Sequence, residues 1–188
     1  MTDLSGFEWL NPPPDWQAAG DRLRLRTAGG TDFWQRTHYG FRRDDGHFLF
    51  QRRTGDFVAE ATVALEPDAR YDQAGLMVRL SPGGWLKTSC EFQPDGASQL
   101  GAVVTNSGFS DWSYRPVSPF PALVRLRVER HGGDYVLAAG IGDGPPDVHR
   151  VARLLEDDGR SEILVGLYAC SPDGRGCTAI FGDVAIRG

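Results

Sequence analysis

"YDQAGLMVRLSPGGWLKTSCEF", residues 71–92, reads as two β-strands joined through a Pro-Gly-Gly turn. Ala74, Leu76, Val78 and Leu80 form one row, and Leu86, Thr88, Cys90 and Phe92 another. A side-chain period of two assigns both rows to the interior of a sheet sandwich. The opposite rows carry Gln73, Gly75, Met77 and Arg79 beside Trp85, Lys87, Ser89 and Glu91. In a hairpin these rows lie side by side, with Arg79 in reach of Glu91 or a neighbouring acid. One face therefore builds a core, and the other is expected to look outward, either as a solvated surface or as a ligand site.

The same pattern continues in both directions. Turn signals at Asp45-Gly46, Pro94-Asp95-Gly96, Gly132-Gly133, Asp158-Gly159 and Pro172-Asp173-Gly174 separate short alternating runs. Strands are expected over 22–26, 47–51, 56–65, 74–80, 85–92, 100–106, 123–130, 135–141, 162–170 and 177–186. The segment 148–158 spaces Val148, Val151, Leu154 and Leu155 so that either a strand or a helix fits, the strand being preferred. "PVSPFP" (116–121) reads as a Pro-fixed loop, and nothing in the pattern divides the chain. About ten short antiparallel strands over residues 1–188 imply one all-β domain, a sandwich of two antiparallel sheets or a jelly roll.

Bulk composition narrows the function classes. With 20 Lys and Arg against 25 Asp and Glu the net charge is −5, and no basic stripe interleaved with aromatics exists to hold a phosphate backbone. Nucleic acid is not an expected partner. No run approaches the roughly 20 apolar residues of a membrane span, and "MTDLSGFEWLNPPP" lacks the features of a secretory signal, so a cytoplasmic location and no membrane partner are expected. Cys90, Cys170 and Cys177 are odd in number and lack metal-ligand spacing. Free thiols are expected, with Cys170–Cys177 pairing across "SPDGRG" the less favoured alternative, and no metal or other cofactor is expected.

Several phrases in order along the chain carry a family likeness: "WLNPPPDW" (9–16), "TDFWQRTHYGF" (31–41), "DDGHF" (44–48), "YDQAGLMVR" (71–79), "WLKTSCE" (85–91), "VVTNSGFSDWS" (103–113) and "YACSP" (168–172). Together they resemble a family of concanavalin A-like proteins of uncharacterised function that includes a yeast protein described as a regulator of enolase. The chain is also similar to the sandwich domain appended to some β-xylosidases. The resemblance implies a concanavalin A-like jelly roll whose concave sheet holds ligands in relatives. It implies no reaction, because a fold does not supply a function.

The residues themselves nominate a site. Gln73, Arg79, Trp85, Lys87 and Glu91 share the outward rows, Asn106 ends the next run, and Asp111 and Trp112 are expected in the loop that follows. Exposed indoles beside planar polar groups form a saccharide platform: the ring stacks on the sugar's apolar face and the polar groups bond its hydroxyls. In this reading Trp85 and Trp112 stack, and the other six orient a saccharide or small polar ligand. Phe33 and Phe41 are expected to plug one end of the sandwich, with Trp34 open between plug and cleft. Trp9 and Trp16 read as cover for the core, and His38 and His47 as structural rather than acid/base groups.

Two other readings stay open. A glycan-active enzyme would use Glu91 or Glu60 as acid/base with Arg79 neutralising substrate charge, although Lys87 beside Glu91 is expected to oppose a raised acid pKa. The Glu-x-Asp-x-x-Glu strand of glycosidases similar in fold is absent, and Gln73, Arg79, Tyr71 and a loop His only loosely resemble the sites of lyases on this fold. Neither a nucleophile elbow nor a phosphate-binding loop is present. By resemblance to such sandwiches, Asp183 is a conceivable calcium ligand. The third reading is a protein-interaction module with a protein partner, as the enolase-related name of a relative suggests.

Overall fold

The computed structural model describes residues 3–188. After a 3-10 turn at Leu4–Gly6 the chain is built from strands: β1 (Glu8–Leu10), β2 (Asp15–Ala19), β3 (Arg22–Arg26), β4 (Phe33–Gln35), β5 (Arg42–Asp44), β6 (His47–Arg53), β7 (Phe57–Glu66) and β8 (Gln73–Ser81). There follow β9 (Gly84–Glu91), β10 (Ser98–Asn106), β11 (Phe109–Val117), β12 (Val124–His131), β13 (Asp134–Ile141), β14 (Asp147–Arg153), β15 (Ile163–Cys170) and β16 (Thr178–Arg187). The front sheet runs β1-β6-β15-β8-β9-β10-β11 and the back sheet β14-β13-β12-β7-β16-β3-β2. Every pairing is antiparallel, as a two-sheet jelly-roll sandwich requires.

All ten strands expected from alternation form, within about two residues of their expected ends. The ambiguous 148–158 segment forms a strand over its first half, ending at Arg153. The stretch after Asn106, expected to be a loop, is instead the edge strand β11. It pairs on one side only, with β10, so it tolerates the polar residues and Pro116 that disguise it in the sequence.

Between the sheets, Leu49, Leu76, Val78, Leu86, Cys90 and Leu100 meet Leu25, Val63, Leu126, Leu137 and Phe181 in one continuous core. Leu80 lies at its margin, partly buried, and Phe92, half-buried, meets Phe120 edge-on at 5.4 Å. Thr88 also faces inward as its row predicts, its hydroxyl donating to the Gly101 carbonyl at 3.1 Å and lying 3.1 Å from His149 of the back sheet. The three cysteines are buried free thiols.

The other face of the front sheet departs from expectation. It is not a wet surface: Trp85 is fully buried, and Arg79 and Lys87 are nearly so. The cause is a two-stranded cap, β4 and β5, that folds back over this face. Phe33, Trp34, Phe48, Phe50, Met77, Trp85, Val103, Tyr168 and Cys170 form a second apolar cluster between cap and sheet. Phe33 thus plugs the outer face rather than an end of the sandwich, and packs edge-on against Trp85 and Tyr168. Phe41, expected to be its partner in the plug, stays exposed at the cap's rim. Trp9 packs partly buried against the main core, while Trp16 remains largely exposed and meets Trp9 edge-on.

On the back sheet, Arg130 and Asp157 form an ion pair with no solvent exposure. Arg130 Nε donates to Asp157 Oδ2 at 2.8 Å and Nη1 to the Gly55 carbonyl at 2.7 Å, while the Tyr135 hydroxyl donates to the same carboxylate. These bonds tie β12 and β13 to the 154–161 loop. Removing one partner leaves a buried charge alone, so Asp157→Ala is expected to cost about 3–5 kcal/mol in urea unfolding. Asp134→Ala, which breaks an exposed pair with Arg153, is expected to cost less than about 1 kcal/mol.

Candidate functional site

The cap covers one half of the front sheet's outer face and leaves a cleft over the other. The cleft encloses about 200 Å³. Its floor is Gln73, Lys87, Glu91 and Val103; Trp34, Tyr39 and Phe41 of the cap form one wall; Trp112 of β11 forms the opposite one. Asp32, Tyr71, Pro172 and Asp173 complete the lining from loops.

Register explains why these side chains meet. Gln73 pairs with Glu91 across β8 and β9, Met77 with Lys87, Lys87 with Val103, and Val103 with Trp112, so Lys87, Val103 and Trp112 share one cross-strand row, and the small residues Gly75, Ser89 and Gly101 separate it from the Gln73–Glu91 row. Trp112 can lean over the sheet because Gly101 lies beneath it: a Cβ there would come within 3.1 Å of the indole nitrogen. Tyr71 enters from a loop with φ 66°, a strained value for a bulky residue, held by its N–H donating to the Phe92 carbonyl at 2.9 Å. The cap is fastened to the edge strand by the Gln35 N–H, which donates to Ser110 Oγ at 2.9 Å.

The polar floor is one connected network. Lys87 Nζ donates to the Phe33 carbonyl and to Gln73 Oε1, both at 2.9 Å, and lies 3.4 Å from Asp32 Oδ1. Gln73 Nε2 donates to Glu91 Oε2 at 3.0 Å and to the Tyr71 carbonyl at 3.1 Å, while the Tyr168 hydroxyl donates to Gln73 Oε1. An ammonium can only donate, so the orientation of the Gln73 amide is fixed by Lys87. The ammonium also lies 5.3 Å from the centre of the Tyr168 ring and 5.7 Å from that of Trp85.

Four of the eight nominated residues meet at the cleft: Gln73, Lys87, Glu91 and Trp112. The other four do not line it. Trp85 is sealed beneath Phe33, and its indole N–H donates to the Pro82 carbonyl, so it has no face to offer a ligand. Arg79 is held by both carboxylate oxygens of Asp44 at 2.6 and 2.8 Å rather than by Glu91, and is spent fastening β5 to β8. Asn106 clamps the chain after β14, donating to the Arg153 carbonyl and accepting from the Leu155 N–H. Asp111 alternates to the other side of β11 from Trp112 and pairs with Arg150 at 3.3 Å.

Other expectations resolve similarly. Glu60 lies on the back sheet, where it pairs with Arg187, so it does not converge with Glu91. His47 is structural: Nδ1 lies 2.7 Å from the Asn11 carbonyl and Nε2 accepts the Ala28 N–H. His38 stacks edge-on against Tyr39 outside the main cleft. Asp183 accepts from the Thr62 hydroxyl, and no cluster of three or more metal-binding side chains occurs among the described residues. Sequence reasoning missed Asp32, Tyr39, Val103, Pro172 and Asp173 as lining residues. The density of aromatics in "TDFWQRTHYGF" was the available signal for the cap.

Electrostatics at Glu91 reverse another expectation. Burial pushes its carboxyl up to about 8; Lys87 opposes the shift, and Asp32 reinforces it. Desolvation outweighs the Lys87 charge, and the ammonium's own hydrogen bonds go to Asp32, Gln73 and the Phe33 carbonyl rather than to Glu91.

A model of DUF1349, described as a protein family of unknown function, matches residues 9–188, and the chain belongs to that family. It is 37% identical over 186 residues to Regulation of enolase protein 1 of Saccharomyces cerevisiae, covering 98% of this chain and 91% of the yeast protein. A crystal structure of a functionally unknown protein from S. cerevisiae superposes with TM-score 0.90 at 34% identity, covering 100% of this chain and 98% of that one. The carbohydrate-binding module CBM66 of Bacillus subtilis matches with TM-score 0.64 at 14% identity, over 100% of this chain and 99% of the module. A xylan β-1,4-xylosidase of Bacillus halodurans matches with TM-score 0.71 at 14% identity, over 99% of this chain but 38% of the enzyme. The last two likenesses concern the fold alone. Among the described residues no helix is long and apolar enough to cross a membrane.

The Glu91 shift has a measurable sign. The folded protein keeps this proton at pH values where the unfolded chain has lost it. Its contribution to stability is therefore full below the ordinary value of 4.5 and declines as pH rises toward about 8. Urea titrations across that window are expected to show the wild type losing more stability than Glu91→Gln; parallel curves would refute the shift.

Proposed function

We propose that this protein binds a saccharide-sized polar ligand in the cleft between its cap and front sheet. The observation that carries the reading is the pairing of an aromatic rim with a polar floor. Trp34, Tyr39 and Phe41 oppose Trp112 across Gln73, Lys87 and Glu91. A ring-shaped ligand would stack against Trp112 and place its hydroxyls on the carboxylates. The cleft volume of about 200 Å³ lies below the roughly 300–1,000 Å³ typical of drug-sized ligands, which favours one ring over a polymer strand. Support of a weaker kind comes from the fold, which is shared with a carbohydrate-binding module.

A second reading, saccharide cleavage, is favoured by one observation: Glu91 retains a proton near neutral pH in a cleft that also contains the carboxylate Asp32. Such a carboxyl has the property required of a general acid. Turnover of an aryl glycoside, abolished in Glu91→Gln while binding persists, would establish catalysis; binding without turnover would leave a binding domain.

Binding is checked by tryptophan fluorescence and calorimetry against a panel of monosaccharides and disaccharides. Trp112→Ala is expected to weaken the best ligand about tenfold, the ~1.5 kcal/mol an aromatic contact contributes. Binding that is indifferent to Trp112 would remove the site from this cleft.

A further inference from the structure

The hydrogen-bond capacity of the cleft is lopsided. Among the described residues its lining contains one cation, Lys87, against three carboxyl groups, Asp32, Glu91 and Asp173. An ammonium has three donors, and those of Lys87 are directed to the Phe33 carbonyl, Gln73 and Asp32. The Gln73 amide is equally occupied, with two bonds donated and two accepted. Glu91 accepts one bond at each oxygen, from Gln73 and Gln93, and in its ionised form keeps acceptor capacity at both. Asp32 is engaged through Oδ1. What the floor still offers a ligand is therefore the negative charge and free oxygen of Asp32, joined by those of Glu91 once it loses its proton near pH 8.

The walls point the same way. Trp34 meets Tyr39 edge-on at 5.5 Å and Tyr39 stacks on Phe41 at 5.8 Å, while Tyr71 and Trp112 complete an aromatic enclosure over the carboxylates. Aromatic faces attract cations through their quadrupole, most strongly in desolvated cages.

Resting on the reading of this cleft as a small-ligand site, we propose that its ligand carries a cationic nitrogen, as an amino sugar does, seated within the aromatic enclosure and against Asp32 and Glu91. Anionic ligands such as uronates and sugar phosphates are disfavoured, because the cleft's only cation is already satisfied internally. The charge on Glu91 makes the preference pH-dependent. Lys87, Asp32, Tyr39 and Tyr168 share its side of the sheet, with Cys90 behind it in the core; burial raises Tyr39, Tyr168 and Cys90 above their ordinary values, which leaves Glu91 to change charge near pH 8. A fixed cation is therefore bound more tightly as pH rises through that value.

Calorimetry with glucose, glucosamine, glucuronate and choline at about pH 6.5, where the amine is charged, tests this. Glucosamine is expected to bind about tenfold more tightly than glucose, glucuronate not to bind, and Asp32→Asn to erase the preference. Choline affinity is expected to rise between about pH 6.5 and 9 in the wild type and to stay level in Glu91→Gln. Equal binding of glucose and glucosamine overturns the cationic preference and keeps the saccharide site. Choline bound without either sugar keeps the preference and removes the saccharide. Preferred binding of glucuronate, or no binding of any of the four, overturns the inference. If Asp32→Asn fails to fold, the wild-type series still decides.

Discussion

The outer half of this molecule depends on one buried ammonium. Lys87 projects from the front sheet into a space where a lone charge would be prohibitively costly, so it must be surrounded by acceptors. The acceptors come from two directions: Gln73 from the sheet itself, and the Phe33 carbonyl and Asp32 carboxylate from the approach to β4. Satisfying Lys87 thus requires the cap to be in place. Arg79 repeats the arrangement a row away, gripping Asp44 at the end of β5. Two basic residues on one sheet face hold down opposite strands of the cap, and apolar contact between Phe33, Trp85 and Tyr168 fills the space between them. The cleft is the part of the face that this arrangement leaves uncovered.

The sandwich was legible because its signal is local and redundant. Alternation in each strand independently names the inward row, and Leu76, Val78, Leu86 and Cys90 all lie where their spacing puts them. The site was only half legible because a strand's outer row can be covered by something distant in sequence. Nothing within residues 71–92 reveals that Asp44 will reach Arg79, or that Phe33 will lie across Trp85. Charged and aromatic residues were read as outward, and they are; outward proved to mean a second interior for Arg79 and Trp85. Lys87 and Glu91 were paired by proximity in sequence, whereas desolvation governs Glu91 and depends on the cap that alternation does not describe.

Edge position explains the other misreading. Central strands are recognised by apolar residues on both faces, as in β8 and β10, where nearly every position is buried. β11 shows exposed and half-buried residues over most of its length and carries a proline, which gives it the composition of a loop. Its pairing to β10 is nonetheless complete from Asn106↔Phe109 to Ser98↔Val117. The edge is what makes Trp112 useful: a residue there reaches over the sheet without a neighbouring strand to bury it.

Gly101 gives Trp112 its place, and its effect extends beyond clearance. A single hydrogen in place of a side chain is a setting that one codon can change, and the main core between the sheets would not register the change, since Gly101 contributes no side chain to it. The depth of the Trp112 wall, and with it the shape of the cleft, can therefore change while the sandwich stays intact. In this architecture the shape of the cleft is set by a residue that does not line it.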